Sequence, residues 1–319
     1  MWKRGALFAS LLATSCASEE GDSNSDDATA TSSTADAGDG DGDGDGDGDG
    51  DGDGDGDGDG PALPRPTATC PSVLLGEVEF SAAGIPSRSV RIQMSEKAAE
   101  LDGPVVFYWH GTGSSPDEAT YGLSDATVQE ILDQGGAVIA PYRDPAAGTF
   151  PWHLVTGSKE DDLILADEVL GCLHEAVGID PTRIHSIGMS AGGIQTTQMS
   201  FRRSNYIASV VTYSGGLILT DDPPTPNPDN KFAAMIFHGG PEDIVYISFE
   251  DASDAYLAAL QDRDHFAFIC DHGNGHTIPA DARPSVWDFF QAHPWGTAPS
   301  PYAEALPSDY PSYCALTEP

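Results

Sequence analysis

The sequence predicts an α/β domain with a mostly parallel central sheet and helices on both faces. Short, continuously apolar runs at 104–109 and 136–141 are too brief for helices and read as strands buried on both faces. Amphipathic stretches of helical length alternate with such runs, as a parallel sheet with crossover helices requires. Residues 61–319 are a length that fits one domain of this class.

The chain begins with Met1-Trp2-Lys3-Arg4, a short apolar run over 5–13, then Ser15-Cys16. Residues 1–16 therefore read as a secretory signal, too short to span a bilayer. Ala13-Thr14-Ser15-Cys16 resembles a bacterial lipobox, with Ala13 where Leu is usual. The resemblance implies a lipidated Cys16 and membrane association only through that anchor. Ordinary cleavage and free secretion is the alternative. Either way the protein is exported.

Residues 17–60 form an acidic linker that becomes an unbroken Asp-Gly repeat from Asp39. Glycine maximises backbone entropy, neighbouring carboxylates repel, and nothing apolar is available to bury, so no fold is expected. As a Gly-rich coil it spans about 35–40 Å. Calcium loops need carboxylates at fixed offsets in folded surroundings, so only diffuse ion association is expected here.

The whole chain carries a formal net charge of −37, and residues 61–319 alone hold 34 acidic against 12 basic residues. Such a surface excludes nucleic acid and other polyanions as partners. Besides Cys16 there are Cys70, Cys172, Cys270 and Cys314, an even number that suggests two disulfides in an exported chain. The expected pairing is Cys70–Cys314, joining the domain's ends, with Cys172–Cys270. No C-x-x-C spacing occurs, so no metal site is expected.

In chain order, 73–80 and 90–94 read as an antiparallel strand pair. Strand 104–109, helix 124–134, strand 136–141 and helix 160–177 follow. Strand 183–187 leads into helix 194–203, then strands 207–213 and 232–238, helix 249–261, strand 265–270 and helix 284–291. Active sites in such sheets collect at the carboxyl ends of the strands, and four strand ends here carry chemistry.

Gly188-Met189-Ser190-Ala191-Gly192 lies between a strand and a helix, the context that makes G-x-S-x-G a nucleophile elbow with Ser190 as nucleophile. His110-Gly111-Thr112-Gly113 follows strand 104–109 and has the form of an oxyanion loop, with the amides of Thr112 and Ala191 as donors. His110 has packing beneath this loop as its preferred reading and a place beside substrate as the other. Glu242 and Asp243 follow strand 232–238; Asp243 is the choice for the acid that orients a catalytic histidine. Of His272 and His276, after strand 265–270, His276 is the choice for the base, because Gly275 lets the loop bend back over Ser190. Histidines 153, 174, 185, 265 and 293 have no such setting. Trp152, in Phe150-Pro151-Trp152-His153, is a candidate for lining the pocket, and a packed aromatic is the equal alternative.

The order Ser190, Asp243, His276 is that of α/β-hydrolases. Trp109-His110-Gly111-Thr112-Gly113, Gly188 to Gly193, His238-Gly239-Gly240 with its following acid, and Gly275-His276-Thr277-Ile278-Pro279 resemble poly(3-hydroxybutyrate) depolymerase and feruloyl esterase-type lipoproteins. The resemblance implies the α/β-hydrolase fold and carboxyl-ester hydrolysis without a cofactor; a small-molecule or polymeric ester substrate and a monomer are expected. It departs at the acid loop, where the family spacing to Val245 favours Glu242. The competing readings are a non-catalytic surface binding protein, which would usually lack a triad member, and a serine peptidase, which would usually carry a gating domain.

Overall fold

In this computed structural model, which describes residues 60–154, 159–218 and 223–316, the chain opens with β1 (Gly76–Phe80) and β2 (Arg88–Met94), paired antiparallel. The signal segment with Cys16 and the linker as far as residue 59 lie outside the described residues. There follow β3 (Gly103–Trp109), α1 (Glu118–Leu123), α2 (Asp125–Asp133), β4 (Ala137–Pro141), α3 (Asp161–Ala176), β5 (Ile179–Met189) and α4 (Ala191–Arg202). The second half contains β6 (Ser209–Tyr213), β7 (Ala233–His238), a short hairpin of β8 (Ile244–Val245) and β9 (Ile247–Ser248), α5 (Phe249–Gln261), β10 (Ala267–Asp271), α6 (Arg283–Ala292) and β11 (Cys314–Ala315).

The main sheet has nine strands in the order β1-β2-β4-β3-β5-β6-β7-β10-β11. From β4 to β10 all neighbours run parallel. Every residue of β3, β4, β6 and β7 is buried, which is why these segments are apolar without alternation. The side chains still alternate in direction. Val105, Phe107 and Trp109 join one core with α3, α4 and α5. Val106 and Tyr108 join the other with α1, α2 and α6.

That division corrects the expected disulfides. The bonds are Cys70–Cys172 and Cys270–Cys314. Cys172 belongs to the α3 side of the sheet and Cys270 to the α6 side, so the sheet itself separates them. The segment before β1 instead lies along α3, where Thr67 donates to Glu168 Oε2 through its amide (2.7 Å) and hydroxyl (2.6 Å). Cys270 sits directly opposite Cys314 in the β10–β11 ladder. Among the described residues no helix is long and apolar enough to cross a membrane.

Candidate active site

β5 ends at Met189 and α4 begins at Ala191, so Ser190 alone makes the turn, with φ 58° and ψ −120°. Non-glycine residues rarely occupy this region, and holding one there costs about 1–3 kcal/mol. Two bonds hold it: the Ser190 amide donates to the Tyr213 carbonyl at 2.9 Å, and its carbonyl accepts from Ile194 at 3.0 Å. A Cβ on Gly192 would strike the Trp109 carbonyl, and one on Gly188 would strike Gly192. The glycines thus let the elbow press against the end of β3, where His110-Gly111-Thr112-Gly113 begins.

That loop has its own anchor. The Gly111 amide donates to Glu118 Oε1 at 3.0 Å, and the Tyr108 hydroxyl donates to the same oxygen at 3.2 Å. Burial raises the Glu118 pKa, against the pull of its donors. With the Gly111 and Ser190 amides engaged, Thr112 and Ala191 are the residues of the two turns that border the cleft beside Ser190 and His276.

Asp243 is fully buried and spends both carboxylate oxygens. Oδ1 lies 2.6 Å from His276 Nδ1; Oδ2 accepts from the Ser214 hydroxyl at 2.8 Å and the Gly239 amide at 2.9 Å. Burial alone would raise its pKa, but the donors from His276, Gly239 and Ser214 outweigh that and hold it below the usual value. Glu242 is exposed one residue earlier. The His276 ring stacks at a tilt over Phe249, centroids 4.7 Å apart, and borders the cleft that holds Ser190.

The other histidines sit elsewhere. His272 Nδ1 accepts from the Asn274 amide in its own loop at 3.2 Å. His185 stacks on Phe290, His265 on Phe232 and His293 on Phe266, all in the core. His174 is exposed. His110 and Trp152 take the packed reading: neither is among the described residues that border the cleft. Trp152 is 1% exposed, edge-on to Trp109, and its indole N–H donates to the His110 carbonyl at 2.9 Å. His110 is buried and turns Nδ1 to the Gly111 carbonyl at 2.9 Å. Both make hydrogen bonds to carbonyls of the 110–113 loop, and the cleft is bordered by Phe150 and Leu154, on either side of Trp152 in sequence.

The cleft has a volume of about 460 Å³. Besides Phe150 and Leu154 its walls are Ile194, Ile218, Phe249 and the 245–247 hairpin, and among the described residues His276 and Tyr246 are the ionisable groups that border it. Ser214, Glu118 and the hairpin are absent from the sequence reading. Ser214 had one available signal, the small-residue turn Ser214-Gly215-Gly216 at a strand's carboxyl end; Glu118 and the hairpin carry no motif.

No protein-family model matches the chain, and neither does any curated protein. Solved structures do. Native pOPH superposes with a TM-score of 0.63 at 20% identity, over 77% of this chain and 96% of its own. Native sOPH does so with a TM-score of 0.62 at 17% identity, over 79% and 96%. A thermostable esterase gives 0.52 at 15% identity, over 68% of this chain and 62% of its own. The sheet order, the elbow after β5 and these superpositions agree: the chain has the α/β-hydrolase fold.

Proposed function

We propose that the protein is a serine hydrolase of uncharged carboxylic esters that works through an acyl-enzyme, with Ser190, His276 and Asp243 as its triad. The observation that carries this reading is the 2.6 Å hydrogen bond between the buried Asp243 carboxylate and His276, at the cleft that also holds the strained Ser190. His276 takes the Ser190 proton on Nε2 as the hydroxyl oxygen attacks the ester carbon. Asp243 fixes the proton on Nδ1 and stabilises the imidazolium. The Thr112 and Ala191 amides receive the oxyanion, at a point where each lost donor costs about a hundred- to a thousandfold in rate. His276 then protonates the leaving alcohol and, in the second half, activates the water that frees the acid.

The substrate reading follows from the walls. Among the described residues the walls are aliphatic and aromatic side chains without a fixed charge, which suits an apolar acyl or aryl group. Hydroxyalkanoate, feruloyl and acetyl-xylan esters all meet that chemistry. Export, with Cys16 as an anchor, fits the two disulfides. The experiment is a panel of p-nitrophenyl acyl esters and methyl hydroxycinnamates, with fluorophosphonate labelling, on wild type and Ser190→Ala. Hydrolysis and labelling in wild type alone are expected. A Ser190→Ala protein that still hydrolyses or labels overturns the assignment.

A further inference from the structure

The segment that carries Phe150 and Leu154 into the cleft wall is held on its other side by a buried charged cluster. Asp144, just after β4, caps a short turn through Oδ1, which accepts from the Ala146 amide at 2.7 Å. Its Oδ2 lies 3.0 Å from His153 Nε2. Asp161, the first residue of α3, brings Oδ2 to 4.0 Å from the same nitrogen. The three donor atoms lie within 4.8 Å of one another. The side chains of Asp144, His153 and Asp161 are 8%, 9% and 9% exposed.

Asp161 Oδ2 is enclosed and accepts no hydrogen bond. A buried carboxylate oxygen without a donor is costly, so its surroundings are incomplete as they stand. The nearest cation is Lys159 Nζ at 3.5 Å, on a side chain 62% exposed that can turn to water. Arg88 is fixed: Nη1 lies 2.5 Å from Asp162 Oδ1 and 3.7 Å from Asp144 Oδ2. Three carboxylates, Asp144, Asp161 and Asp162, against one fixed guanidinium leave a local charge that a dication balances.

We propose that Asp144, His153 and Asp161 form a binding site for a divalent transition-metal ion of the Zn²⁺ type. Two carboxylate oxygens and one imidazole nitrogen suit such ions, whereas calcium and magnesium take oxygen alone. Tetrahedral bonds of about 2.0–2.2 Å place ligand atoms about 3.3–3.6 Å apart, within the spread seen here. Asp162 supplies the outer support, its Oδ2 accepting the His153 amide at 2.6 Å. On binding, the ion takes the Nε2 lone pair and one oxygen from each carboxylate. The Nε2 proton leaves to Nδ1 or to water, and the Lys159 ammonium moves into solvent. Affinity therefore falls at acid pH. The consequence is mechanical: His153 lies between Trp152 and Leu154, so the ion clamps the cleft wall to α3 and to the end of β4.

The test uses the full chain, stripped with chelator and then titrated with ZnCl₂ alone by calorimetry, with melting temperature followed in parallel. One saturable Zn²⁺ per chain is expected, and at about a hundredfold excess over Kd a rise of about 5 °C in melting temperature that chelator reverses. His153→Gln and Asp161→Asn keep side-chain size and should each weaken the site beyond the about ten- to hundredfold that losing an outer partner costs. His174→Ala removes an exposed histidine and should leave binding intact. Diffuse association with the Asp-Gly linker is common to all variants and is subtracted by the comparison. The proposal is overturned if wild type binds no stoichiometric Zn²⁺, if both ligand variants bind as wild type does, or if Ca²⁺ raises the melting temperature as much as Zn²⁺.

Discussion

Asp243 and His276, 33 residues apart in sequence, meet at 2.6 Å between Oδ1 and Nδ1, while Glu242 beside Asp243 is exposed. Adjacent residues point different ways, and only one of the two carboxylates reaches the imidazole. Asp243→Asn should lower kcat by about three to four orders of magnitude with little change in KM, since it removes the group that sets the tautomer and stabilises the imidazolium. Glu242→Gln should cost less than about threefold on the same activated ester. Reversed severities would move the acid to Glu242.

Glu118 offers a second test of preorganisation. Its Oε1 holds the Gly111 amide and the Tyr108 hydroxyl, and so fixes the turn that presents Thr112. Glu118→Ala should lower kcat by about tenfold or more, short of the about hundred- to thousandfold of outright donor loss, with KM nearly unchanged. Glu118→Gln keeps a carbonyl acceptor and should recover most of the activity. Steady-state kinetics on one ester decides it, and a change confined to KM would contradict a positioning role.

The elbow is legible in the sequence because its glycines leave a fixed spacing around Ser190 that a strand and a helix must flank. The parallel sheet is legible because strands buried on both faces have no polar alternation to hide them. The disulfides are not, because pairing depends on which side of the sheet Cys172 and Cys270 occupy, and a 3.6-residue helix against a two-residue strand period does not reveal that. Trp152 is not legible either: its indole packs on Trp109 and bonds to the His110 carbonyl, while Phe150 and Leu154 border the cleft, and no period in the loop distinguishes the three. Ser214 and Glu118 are tied in by hydrogen bonds that follow no sequence period. The cluster of Asp144, His153 and Asp161 draws on two loops and a helix start, so no motif spacing announces it.

His185 gives a pH dependence of defined sign. Burial, then the charges of Arg183 and His293, lower its pKa from 6.5 to about 3. Between those values the unfolded chain binds the extra proton. Stability from this group is therefore full above about pH 6.5 and falls as pH drops, by up to about 1.4 kcal/mol per pH unit. Denaturant unfolding at pH 6.5 and 4.5 should show a shallower slope in His185→Gln than in wild type, by close to one proton. Equal slopes would mean that His185 is protonated in the fold.

The hairpin at the cleft mouth sets the last expectation. Val245 pairs with Ile247, which leaves Tyr246 alone at the tip with φ 63° and 82% exposed. Its ring stands edge-on to Phe150 with centroids 6.1 Å apart, and both residues border the cleft. So exposed a side chain adds little to the core, and Tyr246→Ala should shift the melting temperature by no more than about 2 °C. What the substitution removes is apolar and aromatic surface available to the distal part of an acyl or aryl group. An aromatic contact is worth about 0.5–1.5 kcal/mol, which is up to about tenfold in affinity. KM for long-chain acyl and hydroxycinnamate esters should therefore rise by about three- to tenfold, while kcat/KM for the acetyl ester, too short to reach the tip, stays within about twofold. Parallel measurement across the acyl series separates binding from chemistry. If acetyl and long-chain esters decline together, Tyr246 acts on the position of Ser190 or His276, and the hairpin is part of the catalytic frame rather than a rim that selects the acyl group.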